Sequence, residues 1–340
     1  MGVGHYAEPN RVHKDGLMRI AVIGAGAVGC LYGGMLARRG HDVRFLMRRD
    51  LEAVRRDGLR IQSCQGDFHL PTVKAFGDPS EIGTVDLVLC ALKATSLDDA
   101  ERLIRPCMGS DTRILAMING FHIEQRLAEW FGPERILGGL AFVCVNRGEP
   151  GIVHHLDYGR VVFGHLLDDL DQATRIARLF ADAGVESHVA ASLRQARWEK
   201  LMWNIPFSTV AVSAGAVTTR EILADPGLVA LARRLIIETG TAGNADGCHI
   251  DVPAMLDKMM ANTATMGPYR PSMLIDYQER RPLEVEAILG EPVRHAARIN
   301  VPVPTVETQY QLVAFLDRLN RGEIATDHDT ENHPYSSNQR

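Results

Sequence analysis

The sequence predicts an α/β protein in which a parallel sheet with crossover helices is followed by an all-α domain. In the first half of the chain, short apolar segments ending in glycine or a polar residue alternate with segments of helical periodicity. From about Ser192 onward the pattern changes to long helical stretches broken by prolines. Strands that alternate with helices are typical of a parallel sheet, because each parallel strand needs a crossover connection.

The individual elements follow from short apolar runs and from the spacing of apolar residues. Helical periodicity follows the first strand in AVGCLYGGMLARRG and recurs in DQATRIARLFADAGV. Fully apolar runs such as VDLVLCALK are typical of strands buried on both faces. The predicted strands are Arg19–Gly24, Asp42–Arg48, Val85–Lys93 and Thr112–Gly120, followed by shorter β-prone pieces around Leu140–Val145, Gly151–Val153 and Arg160–Phe163.

The first strand runs into a glycine-rich turn. Gly24-Ala25-Gly26-Ala27-Val28-Gly29 matches the pattern G-x-G-x-x-G between a predicted strand and a predicted helix. In that setting Gly24 permits the tight turn, Gly26 lets the backbone approach a pyrophosphate, and Gly29 lets helix and strand pack closely. The helix N-terminus favours the phosphates. The turn therefore predicts a Rossmann-type dinucleotide-binding domain, with an unliganded glycine turn as the alternative.

The end of the second strand indicates which dinucleotide is bound. Sites specific for NAD usually present Asp or Glu there for the ribose 2′-hydroxyl, whereas this chain has Arg48 and Arg49. Arginine suits a 2′-phosphate because of its forked donors and permanent charge. NADP is therefore favoured over NAD. Asp50 keeps NAD open, and solvated surface charges are the alternative for both arginines.

Two later strands end in polar residues at the carboxyl edge, where open α/β sheets bind their ligands. They are Lys93, which closes VLCALK, and Asn119, which closes ILAMIN. Both residues are candidates for ligand contacts. A surface lysine and an ordinary Asn-Gly turn are the structural alternatives.

The segment RWEKLMWNIPFS carries a second group of candidates. Lys200, Asn204 and Ser208 are four residues apart and would share one face of a helix, which Pro206 is predicted to kink. Burial lowers the pKa of a lysine, so that it can give up a proton near neutral pH and stabilise an alkoxide. Lys200 is thus a candidate general acid, with a salt bridge between domains as the alternative.

The segment RPSMLIDYQERRPLEVEAILG adds two further candidates. Ser272 comes just before a helical run, where it could be an N-cap. Glu284 follows Pro282 in the first turn of another predicted helix, where the helix dipole favours a carboxylate. Spacing alone leaves a structural and a catalytic role open for each.

Together these residues resemble the ketopantoate reductase family (2-dehydropantoate 2-reductases) from about Met18 to Leu319. The resemblance rests on VIGAGAVG, the Arg48 position, ALKATS with Lys93, ING with Asn119, WEKLMWN, and PSMLIDYQERRPLEVEAILG. It implies NADPH-dependent reduction of 2-dehydropantoate to pantoate, a step of pantothenate biosynthesis. It also implies a Rossmann domain joined to a helical domain, with the substrate in the cleft between them.

The resemblance further implies a role for each candidate. Lys200 matches the general acid, and Glu284 matches a carboxylate close to the nicotinamide and substrate. The expected substrate-binding residues are Asn119, Asn204, Ser208 and Ser272. The expected cofactor-binding residues are Gly24, Ala25, Gly26, Ala27, Val28, Gly29, Arg48, Lys93, Asn119 and Glu284.

Two positions depart from the family pattern. Ser208 stands where members often have a second asparagine, and a third asparagine falls near Thr218. Hydroxyls reach less far than amides, so the pocket can differ in size or polarity. These departures leave open a reductase of another small branched 2-oxo acid. A separate alternative, from a different class, is a non-catalytic NADP-binding sensor.

Composition excludes other classes of function. With a net charge of −5, the chain has no overall basic field for nucleic acid or an anionic membrane surface. Six scattered cysteines without a C-x-x-C pair indicate a reducing, cytoplasmic compartment. The sequence predicts no membrane span, signal peptide or metal site. Its apolar C-terminal helices are compatible with a homodimer and equally with a core.

The predicted domain organisation has four parts. Residues 1–17 form a polar, flexible leader, and residues 18–191 form the Rossmann-type NADP-binding domain. Residues 192–320 form a helical domain for substrate binding or dimerisation. The last part, residues 321–340, lacks apolar residues for packing and is predicted to be disordered.

Overall fold

The computed structural model describes residues 16–324. Most of the predicted leader and tail, residues 1–15 and 325–340, lies outside the described residues. The described chain divides into two compact units. The first unit consists of residues 16–92, Asp98–Ile118 and Leu127–Ala190, and the second of Lys93–Leu97, Asn119–Arg126 and residues 191–324. Each unit has its own hydrophobic core.

The first unit is built on one sheet of ten strands, in the order β4-β3-β9-β8-β7-β6-β1-β2-β5, with β10 paired to β9. The six strands from β8 to β5 in this order run parallel to their neighbours, and β9 runs antiparallel to β8. The strands are β1 (Arg19–Ile23), β2 (Asp42–Leu46), β3 (Leu59–Ser63), β4 (Phe68–Leu70), β5 (Lys74–Phe76), β6 (Leu87–Cys90), β7 (Arg113–Ala116), β8 (Ile136–Arg147), β9 (Ile152–His165) and β10 (Ser187–Val189).

The parallel core forms where the sequence predicts it. All four residues of β6 are fully buried, as expected for a strand covered on both faces. The three shorter β-prone pieces are parts of one long hairpin, β8 and β9, of 12 and 14 residues. Register shifts within this hairpin interrupt its apolar alternation, so the sequence pattern shows only fragments of each strand.

Thirteen α-helices occur among the described residues. They are α1 (Ala27–Arg38), α2 (Leu51–Asp57), α3 (Ala100–Ile104), α4 (Ile123–Phe131), α5 (Leu170–Asp182), α6 (Leu193–Trp203), α7 (Val210–Ser213), α8 (Thr219–Ala224), α9 (Pro226–Ala245), α10 (Val252–Thr265), α11 (Ser272–Gln278), α12 (Glu291–Arg298) and α13 (Pro304–Asn320). None of them is long and apolar enough to cross a membrane. From Leu193 onward the described chain contains helices and no strands, which confirms the predicted fold class.

Two helical segments of the second unit are π-helical, Asn204–Thr209 and Glu286–Gly290. The first joins α6 to α7, so Pro206 does not end the helix. The predicted kink is instead a stretch of wider i→i+5 turns, which accommodates the missing proline N–H. Short π-helical segments often occur at functional sites.

The structure differs from the predicted domain organisation at two places. Lys93–Leu97 and Asn119–Arg126, predicted in the first domain, belong to the second unit. Both segments follow strand ends, and tertiary contacts with later helices draw them to that unit. At the predicted start of the tail, the Arg321 guanidinium forms an ion pair with Asp317 at 3.1 Å, and the prediction of a disordered tail falls mostly outside the described residues.

Candidate active site

The glycine-rich turn has the geometry that a dinucleotide pyrophosphate requires. Gly24 has φ +94°, and a Cβ there would lie 2.5 Å from the backbone nitrogen of Leu92. A Cβ at Gly29 would overlap the Gly24 carbonyl oxygen and lie 3.0 Å from Val22. At Gly26, by contrast, a Cβ would meet nothing within 4 Å. The turn is therefore closed on its inner side and open at Gly26, where a phosphate would approach.

The start of α1 supports the same interpretation. Its N-cap is Gly26, and no side chain caps the helix. The first-turn N–H groups thus have no competing side-chain acceptor and are suited to an anion. Ala25, Ala27 and Val28 are half-buried around this helix start. These residues fit a dinucleotide, and their individual contacts stay a prediction.

The residues after β2 differ sharply in exposure. Arg48 and Arg49 are exposed, as a 2′-phosphate contact requires, whereas Asp50 is buried. The Asp50 Oδ2 atom lies 2.5 Å from Nη2 of Arg147. In the sequence, Asp50 is the residue that leaves NAD possible as the cofactor. In the structure its carboxylate is already paired with Arg147.

Lys200 is buried on α6, with 9% of its surface exposed. The pKa of Lys200 is lowered to about 7, first by burial and then by the Arg197 guanidinium, although the carboxylates of Glu284 and Glu124 raise it. Desolvation outweighs both carboxylates. Lys200 can therefore exchange a proton near neutral pH, as a general acid must.

Arg197 and Glu124 form a buried ion pair that no motif in the sequence indicates. The Arg197 Nε atom lies 3.1 Å from Glu124 Oε1, and Nη2 is also paired with that oxygen. The side chains are 4% and 2% exposed. Arg197 lies three residues before Lys200 on α6, which is a spacing the sequence shows, but its pairing with Glu124 is visible only in the fold.

Glu284 is buried and fixed by the segment that follows β6. Its Oε1 atom accepts a hydrogen bond from the Ala94 N–H at 2.8 Å, and Lys93 Nζ lies 4.0 Å from its Oε2 atom. This contact fixes the orientation of Glu284, which lies just before the helical segment in whose first turn the sequence predicts it. The structure thus places Lys93 beside Glu284, while the roles that the resemblance implies for them stay predictions.

Lys93 also has a closer partner, Asp276, which the sequence pattern alone does not predict. Its Nζ atom donates to Asp276 Oδ2 at 2.7 Å, and Arg281 Nε donates to Oδ1 of the same carboxylate at 2.7 Å. Partial burial lowers the pKa of Lys93, but Glu284 and Asp276 outweigh that effect and raise it. Lys93 therefore stays protonated and is not suited to act as the general acid. The position of Asp276 within SMLIDYQERRPLEVE was the available signal.

Asn119 is connected to the Glu284 region through the backbone. Gly120 has φ +117°, and a Cβ there would lie 2.5 Å from the Cβ of Ala287. The Phe121 N–H donates to the Ala287 carbonyl at 2.8 Å. The Asn119 loop therefore packs against the π-helical segment that follows Glu284, which an ordinary surface turn would not require.

The predicted stripe on α6 holds for two of its three members. The Asn204 N–H donates to the Lys200 carbonyl, so these residues lie one helical turn apart. Ser208 is buried but lies inside the π-helical segment, where the wider turns break the α-helical spacing. The prediction that all three residues share one helical face is therefore wrong for Ser208.

The structure changes the interpretation of two residues with hydroxyl groups, Ser272 and Thr218. Ser272 is the first residue of α11 and is exposed, while the N-cap is Pro271 and no side chain caps the helix. The capping alternative for Ser272 is therefore wrong. Thr218 forms a capping box with Glu221, whose Oε2 atom accepts the Thr218 N–H at 2.7 Å. Thr218 thus has a structural role at the start of α8.

Comparisons with known proteins cover both units of the chain. The family model described as Ketopantoate reductase PanE/ApbA matches residues 20–168, and its C-terminal counterpart matches residues 192–317. A 2-dehydropantoate 2-reductase of Nostoc sp. is 37% identical over 91% of this chain and 98% of its own. The chain belongs to the ketopantoate reductase family. This confirms the resemblance and the expectation of an oxidoreductase.

Solved structures of the ketopantoate reductase family agree. The 2-dehydropantoate 2-reductase of Geobacter metallireducens is 44% identical, with a TM-score of 0.85 over 87% of this chain and 99% of its own. That of Methylococcus capsulatus is 32% identical, with a TM-score of 0.82 over 88% of this chain and 97% of its own.

Among residues 16–324, no group of three or more His, Cys, Asp or Glu side chains is placed to hold a metal ion.

Proposed function

We propose that the protein reduces 2-dehydropantoate to pantoate with NADPH. The observation that carries this proposal is Lys200, a buried lysine whose pKa is lowered to about 7. Adding a hydride to a carbonyl carbon leaves a negative charge on the oxygen, which must be stabilised and protonated. A lysine that is half protonated near pH 7 meets both needs.

The chain's own residues divide the work. Gly24–Gly29, Arg48 and Lys93 would hold the phosphates of NADPH, which when bound would supply the hydride for the 2-oxo carbon. Lys200 donates a proton from Nζ to the carbonyl oxygen as the C=O bond becomes C–OH. The neutral amine is then reprotonated from solvent. Proton and hydride together account for both hydrogens added.

The substrate's other oxygens need donors and acceptors of their own. Asn119, Asn204 and Ser272 offer amide and hydroxyl donors for the carboxylate and the hydroxyl group. The Glu284 carboxylate has one oxygen bonded to Ala94, and its second oxygen accepts a substrate hydroxyl. Ser208 adds a short hydroxyl to this set. Each contact can be tested by substitution.

Ser208 also supports the alternative that the substrate is another small branched 2-oxo acid. The experiment is steady-state NADPH oxidation with 2-dehydropantoate and a panel of 2-oxo acids. We expect the highest kcat/KM with 2-dehydropantoate. A higher value for another 2-oxo acid would reassign the substrate. Tight NADPH binding without turnover of any acid would leave the non-catalytic sensor.

The setting of the reaction is part of the same proposal. Cys30, Cys64, Cys90, Cys107, Cys144 and Cys248 are all unbridged, which supports a reducing cytoplasm. A homodimer also stays a prediction. Light scattering of the purified protein over a range of concentrations would test it.

A further inference from the structure

The Asp50–Arg147 ion pair lies just beyond the strand end where dinucleotide-binding folds choose between NAD and NADP. Arg147 is the last residue of β8, and its Nη2 atom lies 2.5 Å from Asp50 Oδ2. The Asp50 side chain is 10% exposed and that of Arg147 34% exposed. Asp50 comes two residues after Arg48.

Asp50 forms this ion pair instead of capping the helix that it precedes. It is the N-cap residue of α2, yet its side chain caps no N–H group of that helix. An aspartate at this position usually accepts the N–H of the second or third helical residue. Its buried Oδ1 atom has no hydrogen-bond partner among the described residues, and Arg49 Nε lies 3.7 Å away. The direction of the carboxylate is therefore set by Arg147.

The pair also lies within electrostatic reach of the glycine-rich turn. The Cys30 thiol, in the first turns of α1, donates to the Ala25 carbonyl at 3.4 Å. The pKa of this thiol is raised to about 12, mainly by burial, while the charge of Arg147 acts to lower it and that of Asp50 to raise it. The charges of Asp50 and Arg147 thus act on a thiol that lies beside the turn that fits the cofactor phosphates.

We propose that Arg147 is a positioning residue that makes the site select NADPH over NADH by holding the Asp50 carboxylate. An acid near the end of β2 favours NADH, because it accepts the ribose 2′-hydroxyl and repels a 2′-phosphate. Arg147 cancels both effects. It neutralises the charge of Asp50 and turns the carboxylate away, so that Arg48 and Arg49 set the local field. This inference rests on the proposed use of NADPH.

Binding of cofactor fragments tests the proposal without catalysis. Calorimetry would compare adenosine 2′,5′-bisphosphate with 5′-AMP on the full-length protein, Arg147→Met and Arg147→Met/Asp50→Asn. Removing Arg147 exposes a like charge near the 2′-phosphate, so we expect about tenfold weaker binding of the bisphosphate and little change for 5′-AMP. The added Asp50→Asn change should restore most of the loss. Arg160→Met is the matched control, because Arg160 lies in the same hairpin and stacks on Phe142 instead.

The outcomes separate this inference from the proposed function. If the unaltered protein shows no preference for the bisphosphate, the proposed NADPH function itself fails. If it shows the preference and Arg147→Met keeps it, the role of Arg147 is wrong. A double variant as weak as Arg147→Met would also overturn it, because Arg147 would then bind the phosphate directly. Should Arg147→Met not fold, Asp50→Asn alone decides: we expect bisphosphate binding at least as tight as in the unaltered protein, and a loss would contradict the proposal.

Discussion

The Glu284 carboxylate accepts a hydrogen bond from the backbone N–H of Ala94, with 2.8 Å between Oε1 and N. The two residues are separated by 190 positions in the chain, and Glu284 is buried. One carboxylate oxygen therefore serves the fold and orients the other. The structural contact of Glu284 and its chemical role can therefore be tested by different substitutions.

Glu284→Gln should impair catalysis far more than stability. The glutamine can keep an oxygen for the Ala94 N–H but lacks the negative charge, so we expect kcat/KM to fall by about 10- to 100-fold. Glu284→Ala would also remove the half-buried hydrogen bond between the Ala94 N–H and a carboxylate, and should cost about 1–3 kcal/mol of unfolding free energy. Steady-state kinetics and urea unfolding measure the two effects. Equal destabilisation by both substitutions would contradict the shared role.

Lys200→Ala should lower kcat by on the order of 100-fold or more, because the general acid is lost. Lys258→Ala is the matched control, since Lys258 is an exposed lysine on α10. It should retain full activity. NADPH oxidation in the presence of 2-dehydropantoate measures both variants. Near-normal turnover of Lys200→Ala would exclude Lys200 as the acid.

The parts of the fold that sequence predicted well are those with strong local signals. β1, the glycine-rich turn and α1 form one unbroken signal, because burial, turn chemistry and helical periodicity all agree there. The long hairpin β8–β9 was only partly predicted. Pairing between the two strands, and not apolar alternation within each, fixes its length.

The candidate site shows the same limit. Lys200 and Glu284 can be proposed from sequence because they lie in distinctive segments, and their roles stay predictions. Arg197–Glu124 was not, because the ion pair joins residues 73 positions apart and neither has a local pattern. The π-helical segment at Asn204–Thr209 was missed for a different reason: Pro206 predicts a disturbance of the helix but not which form it takes.

Ser272→Ala should change substrate binding without changing stability. Ser272 caps no helix, so we expect an unfolding free energy within about 0.5 kcal/mol of the unaltered protein. If its hydroxyl binds the substrate, KM should rise about tenfold through loss of one hydrogen bond. Ser192→Ala is the matched control, because Ser192 caps α6 by accepting the Gln195 N–H. That variant should lose about 1 kcal/mol and keep its KM. The reverse pattern would restore a structural role for Ser272.

The pH dependence of reduction should report the pKa of Lys200. The reaction needs the protonated amine, so kcat/KM should fall as the pH rises through about 7. For stability the sign is opposite. The unfolded chain binds this proton up to its ordinary pKa, 10.5, so the contribution of Lys200 becomes more favourable to folding as the pH rises from about 7 to 10.5.

A double substitution, Arg197→Met/Glu124→Gln, removes the nearby ion pair without leaving a lone buried charge. Arg197 lowers the pKa of Lys200 more than Glu124 raises it, so the basic limb of the kcat/KM profile should move to higher pH. The unaltered protein and Lys258→Ala should share one profile. A limb that stays in place in the double variant would assign the titration to another group, because a merely structural role of the ion pair would change the rate and not the midpoint.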